Sequence, residues 1–249
     1  MSKNLQDLKA LAAAADARRP RSRQPERLPY PEFPRQRRLT AAHRWKSLLW
    51  SIDTAQAHEV HALRGLTVAL SRIIHGHALD ALLLDAREFL KPELNPSDLL
   101  WDEDLPLKAG GQTMRDLITP SARSLSVDLN DAAVFPSPWE RWRLHGALQN
   151  LGTGRSWGPW RQDRNHFGVA WRPWPLVWVS NGNHSTMAAL VRGGGRFKCH
   201  EAFDFTPVLS AVRTDGINWY RVDNGEELGP VHSMPMAGIF VIGQRLRSL

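Results

Sequence analysis

Apolar residues recur along this chain with two different periods, and the change of period divides it. From Thr40 the repeat is helical. Trp45, Leu48, Leu49 and Ile52 fall at i, i+3, i+4 and i+7, with Thr40 placed as an N-cap. A second run, from about Ala55 to Ile74, carries Val60, Leu63, Leu66, Val68 and Leu70. A third, from about His77 to Leu90, carries Leu79, Leu82, Leu83, Ala86 and Leu90, and Pro92 stops it. Three helices are expected here. Leu94 to Pro120 mixes prolines, glycines and acids and reads as a connector with one short helix near Thr113 to Ile118.

Beyond Ser121 the apolar runs shorten to strand length. Leu125 to Leu129, His166 to Trp171, Leu176 to Val179, Arg196 to Phe203 and Ala237 to Gly243 are the expected strands. Between them, Ser137-Pro138-Trp139-Glu140 predicts a helix start, with Ser137 as N-cap, Pro138 at N1 and Glu140 closing a capping box, and the helix running to about Asn150. Thr206-Pro207 opens a short helix, and Asn224-Gly225 marks a hairpin. The fold class expected is α+β: a helical domain with connector over 40–120, then a small mixed-sheet domain over 121–249.

The strand Leu176 to Val179 runs into the polar heptad Ser180-Asn181-Gly182-Asn183-His184-Ser185-Thr186, and Met187 to Val191 behind it is helix material stopped by Gly193-Gly194-Gly195. A strand-to-helix turn places unpaired backbone N–H groups and a partial positive charge at the start of the helix, suited to a phosphate or carboxylate. Asn183, His184, Ser185 and Thr186 add side-chain donors, and His184 is the candidate acid or base. As architecture alone, the same residues are a tight turn with polar caps.

Composition changes the picture at two places. The formal net charge is +7, and residues 1–39 hold ten Lys/Arg against four Asp/Glu, leaving 22 basic and 21 acidic residues in the rest. The basic, proline-rich arm, with Arg18, Arg19, Arg21, Arg23, Arg35, Arg37 and Arg38, reads as an extended linker or as an arm for nucleic-acid phosphates; a short amphipathic helix is expected before it, over Leu5 to Ala15. Seven of the 11 tryptophans lie between Trp139 and Trp178, a density that suggests a pocket wall, an interface or a stacking surface beside ordinary core packing. Cys199 is the only cysteine, which excludes an intrachain disulfide and a cysteine zinc cage. No apolar run reaches membrane-spanning length and no leader is evident, so a cytoplasmic protein is expected. His58, His61, His75 and His77 are expected to be exposed or capping, and Asp102-Glu103-Asp104 a solvated loop; no metal site is assigned.

The order strand, capped helix, strand, turn, strand, Gly-x-His, helix over Ser121 to Phe205 resembles the ParB N-terminal/sulfiredoxin superfamily. There a Gly-x-x-Arg or Gly-x-His-Arg turn holds phosphate; here Gly182-Asn183-His184-Ser185 stands at that turn, and Pro136-Ser137-Pro138-Trp139-Glu140-Arg141 stands at the start of the preceding helix. Trp139, Arg143-Leu144, Trp160-Arg161-Gln162-Asp163 and Asn165-His166 with the turn are similar to an uncharacterised bacterial domain met on plasmids and integrated elements. The resemblance implies phosphate binding by Gly182, Asn183, Ser185 and Thr186, with Arg141, Arg143 or Lys198 supplying the charge that Ser185 lacks. Asn183 stands where sulfiredoxins carry cysteine, so their redox chemistry is not implied. The expected function is binding of a nucleotide, with or without Mg²⁺, or of nucleic acid, extending to phosphoryl transfer or nuclease chemistry in which Glu140 and Asp163 are candidate carboxylates. The alternative is a non-catalytic DNA- or protein-binding accessory protein of a mobile element, its helical domain docking a protein partner.

Overall fold

The computed structural model describes residues 40–84, 94–121, 125–174 and 176–247. The arm, its expected helix and the end of the third helical run lie outside the described residues. Helices are α1 (Ala41–His58), α2 (Val60–Leu84), α3 (Pro96–Leu99), α4 (Met114–Leu117), α5 (Arg141–Asn150), α6 (Asn183–Arg192), α7 (Thr206–Ala211) and α8 (Met234–Leu246). Strands are β1 (Thr119–Pro120), β2 (Ser126–Asp128), β3 (Ala133–Phe135), β4 (Phe167–Arg172), β5 (Leu176–Asn181), β6 (Arg196–Lys198), β7 (Glu201–Asp204), β8 (Val212–Thr214), β9 (Asn218–Arg221) and β10 (Glu227–Pro230). The fold is α+β.

Thr40 caps α1 as expected, its hydroxyl accepting the His43 N–H at 3.3 Å. The second and third helical runs are one helix, α2. Gly76 sits inside it at a cost of about 1 kcal/mol relative to alanine. The buried stripe Leu70, Ile74, Ala78, Leu82 continues through that point at four-residue spacing and outweighs it. His75 is buried in the same helix rather than exposed, donating from Nε2 to the Val134 carbonyl at 2.7 Å.

The main sheet has the order β1-β7-β4-β5-β3. β3 is parallel to β5 and β7 is parallel to β4, while β4 pairs antiparallel with β5. Both faces are covered, which explains why β5 reads as an unbroken apolar run. Leu176 and Trp178 of β5, with Ala133 and Phe135 of β3, point into a core shared with Trp45, Leu63, Ile239 and Phe240 from α1, α2 and α8. Val177, Val179 and Val134, the alternate residues, point into a second core with Leu144 and Ala147 of α5 and Met187 to Leu190 of α6. Residues 40–249 therefore form one compact unit, and a boundary at residue 120 falls inside a shared core.

Two expected strands differ. Arg196 to Phe203 splits at Cys199-His200. There the chain passes from a two-stranded ladder with β2 to the main sheet, the Cys199 N–H bonding Leu125 O and the His200 N–H bonding Gly168 O. Ala237 to Gly243 is helical, not a strand. Ser233 caps α8 by accepting the Met236 N–H, Pro235 lies in its first turn, and Met236 through Gly243 are all buried. A helix enclosed on every side shows no polar face, so its apolar run looks like that of a buried strand. The hairpin at Asn224-Gly225 forms as expected between β9 and β10.

A cavity at the start of helix α6

The geometry of the heptad begins with the strand. β5 ends at Asn181, Gly182 turns the chain with φ +81° and ψ 20°, and α6 starts at Asn183. The Gly182 carbonyl accepts the Thr186 N–H at 3.0 Å, so the N–H groups of Asn183, His184 and Ser185 have no partner within the helix. Gly182 is required twice over. Its φ is unfavourable for a residue with a Cβ, and a Cβ there would overlap Cδ2 of His166 and lie 2.9 Å from Cγ.

Asn183 is buried, and its Oδ1 accepts the Ser137 N–H at 2.8 Å. Ser137 in turn accepts the Leu94 N–H on its hydroxyl, also at 2.8 Å. The capping box expected at Ser137 is therefore not formed: α5 begins at Arg141 with Glu140 at the cap position. The Glu140 N–H donates instead to Nε2 of His184 at 3.1 Å, and the His184 ring meets Trp139 edge-on at 4.6 Å. Burial lowers the His184 pKa and the Arg143 charge adds to this, while Glu140 opposes it. The N–H donated to Nε2 needs a lone pair there, so Nε2 accepts and Nδ1 carries the proton. That arrangement pins α5 against α6 and occupies the nitrogen a general base would use.

The nitrogen that faces a hydroxyl belongs to another histidine. Antiparallel pairing of β4 with β5 sets Phe167 opposite Asn181, which brings His166 beside the turn. His166 is buried; its Nε2 lies 2.7 Å from Ser185 Oγ and its Nδ1 2.7 Å from Asp163 Oδ1. The carboxylate fixes the tautomer. With the proton on Nε2, the Nδ1 lone pair would face Oδ1 at 2.7 Å, so Nδ1–H donates to Asp163 and Nε2 accepts from Ser185. The Asp163 N–H lies 3.1 Å from the same Nδ1, and the Ser185 hydroxyl lies 3.1 Å from Gly182 O. Asp163 also accepts the Asn165 N–H at 2.7 Å, the main cause of its lowered pKa.

A cavity of about 360 Å³ opens in front of this group, lined by Trp139, Trp142, Arg143, Trp157, His184 and Ser185 among others. The tryptophan cluster divides here. Trp160, Trp171, Trp174 and Trp178 are buried in the two cores, whereas Trp142 and Trp157 stand 69% and 58% exposed on the cavity rim. Arg143 reaches the cavity and pairs with Glu140. Arg141 is directed elsewhere, its Nε donating to the Leu82 carbonyl of α2 at 3.0 Å. Thr186 is fully buried behind the turn, outside the cavity lining, and Arg192 bonds the Leu148 carbonyl. Glu140 and Asp163, the candidate carboxylates, are engaged by Arg143 and by His166. Among the described residues no group of three metal-ligating side chains occurs, and no helix is long and apolar enough to cross a membrane.

Gly182, Asn183, His184, Ser185 and Arg143 are thus brought together, while Arg141 and Thr186 are not. His166 carried a signal: an Asp-x-x-His run directly before a strand that pairs with the strand leading to the turn. Residues 43–249 match the model of a family of unknown function (DUF6710), and the chain belongs to that family. Neither the curated proteins nor the solved structures gave a match.

Proposed function

We propose that the cavity binds a nucleotide unit, free or within a nucleic-acid strand, with its base against the rim indoles and its phosphate at the start of α6. The carrying observation is that two exposed tryptophans, Trp142 and Trp157, line the same cavity as the helix N-terminus. Each indole offers a flat face for stacking, worth about 1–3 kcal/mol per base. The first-turn N–H groups, the Nδ1–H of His184 and the Arg143 guanidinium supply the donors an anion needs. The strand–glycine–helix layout resembles the phosphate turn of ParB/sulfiredoxin-like domains, and this reading gives the arginine role of that turn to Arg143 rather than Ser185. The charge of residues 1–39 favours nucleic acid as a second polyanionic partner. In the non-catalytic alternative the basic arm supplies the affinity and the Gly-x-His turn is architecture.

Melting of the full chain with mononucleotides and with a short single-stranded oligonucleotide, with and without Mg²⁺, tests the reading. Ligand at about 100 times its Kd adds about 2.7 kcal/mol to the folded state. Trp142→Ala combined with Trp157→Ala should abolish the shift while leaving the ligand-free midpoint close to wild type, because both side chains are exposed. Absence of any shift, and of any quenching of tryptophan fluorescence, by every nucleotide and oligonucleotide would refute it.

A further inference from the structure

We propose that Ser185 is a nucleophile, activated by His166 and Asp163, that cleaves a phosphodiester held in the cavity. The assignment of the nucleophile stands on the Ser185–His166–Asp163 relay and the cavity it opens into; the choice of phosphorus as the reacting centre rests on the nucleotide reading above. A serine hydroxyl is a weak nucleophile unless a base removes its proton, and the base must itself be held in the correct tautomer. Both conditions are met. His166 Nε2 is 2.7 Å from Ser185 Oγ, and Asp163 fixes the proton on Nδ1 at 2.7 Å. His166 is buried behind Ser185, while Ser185 lines the cavity, so a substrate approaches the hydroxyl and not the base.

A purely structural network would place its polar atoms where they complete one another away from a ligand surface. This one ends on Ser185, a residue lining an open volume of about 360 Å³, its hydroxyl set between His166 Nε2 at 2.7 Å and the Gly182 carbonyl at 3.1 Å, with the first-turn N–H groups that have no partner within the helix beside it. In the first step Ser185 Oγ bonds to phosphorus and its proton passes to His166 Nε2. The phosphorus–oxygen bond to the leaving alcohol breaks on the side opposite Ser185, and that oxygen takes a proton from water in the open cavity. In the second step the hydroxide so formed attacks phosphorus from that side, the bond to Ser185 Oγ breaks, and Oγ regains the proton held on His166 Nε2. One water is consumed, and a phosphomonoester and an alcohol are formed. Asp163 stays ionised throughout, orienting the imidazole and stabilising its cation. The backbone N–H groups and Arg143 face the charge that develops on the non-bridging oxygens.

The test uses the full-length protein and diisopropyl fluorophosphate, a small phosphorylating agent that requires no base recognition, with the adduct located by mass spectrometry. Ser185 should be labelled at least 100-fold faster than any other serine. Asp163→Asn, which keeps a side-chain oxygen for the Asn165 N–H, should slow labelling at least tenfold, and His166→Gln more. In parallel, 4-nitrophenolate release from bis(4-nitrophenyl) phosphate should depend on Ser185, and its acceleration over the uncatalysed reaction should exceed that for 4-nitrophenyl acetate. No selective labelling of Ser185, a rate indifferent to Asp163→Asn, or cleavage of the acetate alone would overturn the proposal. Ser185→Ala should keep the nucleotide-induced melting shift, so binding can fail without touching the nucleophile, and the nucleophile can fail while binding survives.

Discussion

At the scale of single residues, the turn separates side chains that hold the fold from those that face the cavity. Gly182→Ala forces a Cβ into the left-handed region and against His166, and should cost about 2 kcal/mol or more in urea unfolding. The same variant should depress labelling of Ser185, since the displaced ring is the one 2.7 Å from its hydroxyl. Asn183→Ala strands the part-buried Ser137 N–H and should cost about 1–3 kcal/mol. A loss under about 0.5 kcal/mol would show that this bond contributes little. Asn183, His184 and Ser185 were legible as a group from the strand-to-helix pattern, but their division of labour was not. His184 looked like the reactive imidazole because it lies in the turn; the imidazole that contacts Ser185, at 2.7 Å, is that of His166, 19 residues away in sequence. Only the register that sets Phe167 against Asn181 brings the two together, and register belongs to a formed sheet, not to a local motif.

At the scale of elements, the misread boundaries share one cause: tertiary partners took over groups that local patterns assign to caps and strands. Ser137 has the sequence of an N-cap, yet its hydroxyl accepts from Leu94 and its own N–H goes to Asn183. Ser137→Ala should therefore cost about 1 kcal/mol and speed hydrogen exchange at the Leu94 amide, with the α5 amides unchanged. Faster exchange in α5 instead would restore the capping role. Helix α2 carries the clearest pH dependence. Burial, and secondarily the Arg72 charge, push the His75 pKa down from 6.5 to about 4, while its bond to Val134 O opposes the shift. Between those values the unfolded chain binds a proton that the folded chain refuses. The contribution of His75 is thus present in full above pH 6.5 and is lost as the pH falls towards 4. Unfolding free energy should fall by about 2 kcal/mol from this group between about pH 7 and pH 5, and His75→Gln, which retains a donor, should remove that part of the slope. His184, also held neutral, has the same sign and adds to the acid sensitivity.

At the scale of the whole molecule, the helices before residue 120 are not a separate module but one of the layers over the sheet. Trp45, Leu63 and Leu70 share a core with Trp171, Trp178 and Phe240. The unbroken apolar run of β5 fits a strand covered on both faces, but it does not say which helices cover it, because an apolar stripe does not name its partner. Charge is distributed differently from packing. Residues 40–249 are one unit and carry a formal charge of only +1, while residues 1–39 carry +6. Deleting residues 1–39 should therefore leave the melting midpoint within about 1–2 °C of the full chain, since the two cores are drawn from residues after Thr40. The same deletion should weaken binding to a single-stranded oligonucleotide and flatten its dependence on salt. For a single strand, every phosphate that the arm no longer neutralises takes about 0.7 off the slope of log K against log[salt]. Trp142 and Trp157 would remain in the truncated protein, so binding of a mononucleotide should survive. An unchanged salt slope after truncation would assign strand affinity to the cavity alone, and a collapsed midpoint would show that the arm supports the fold.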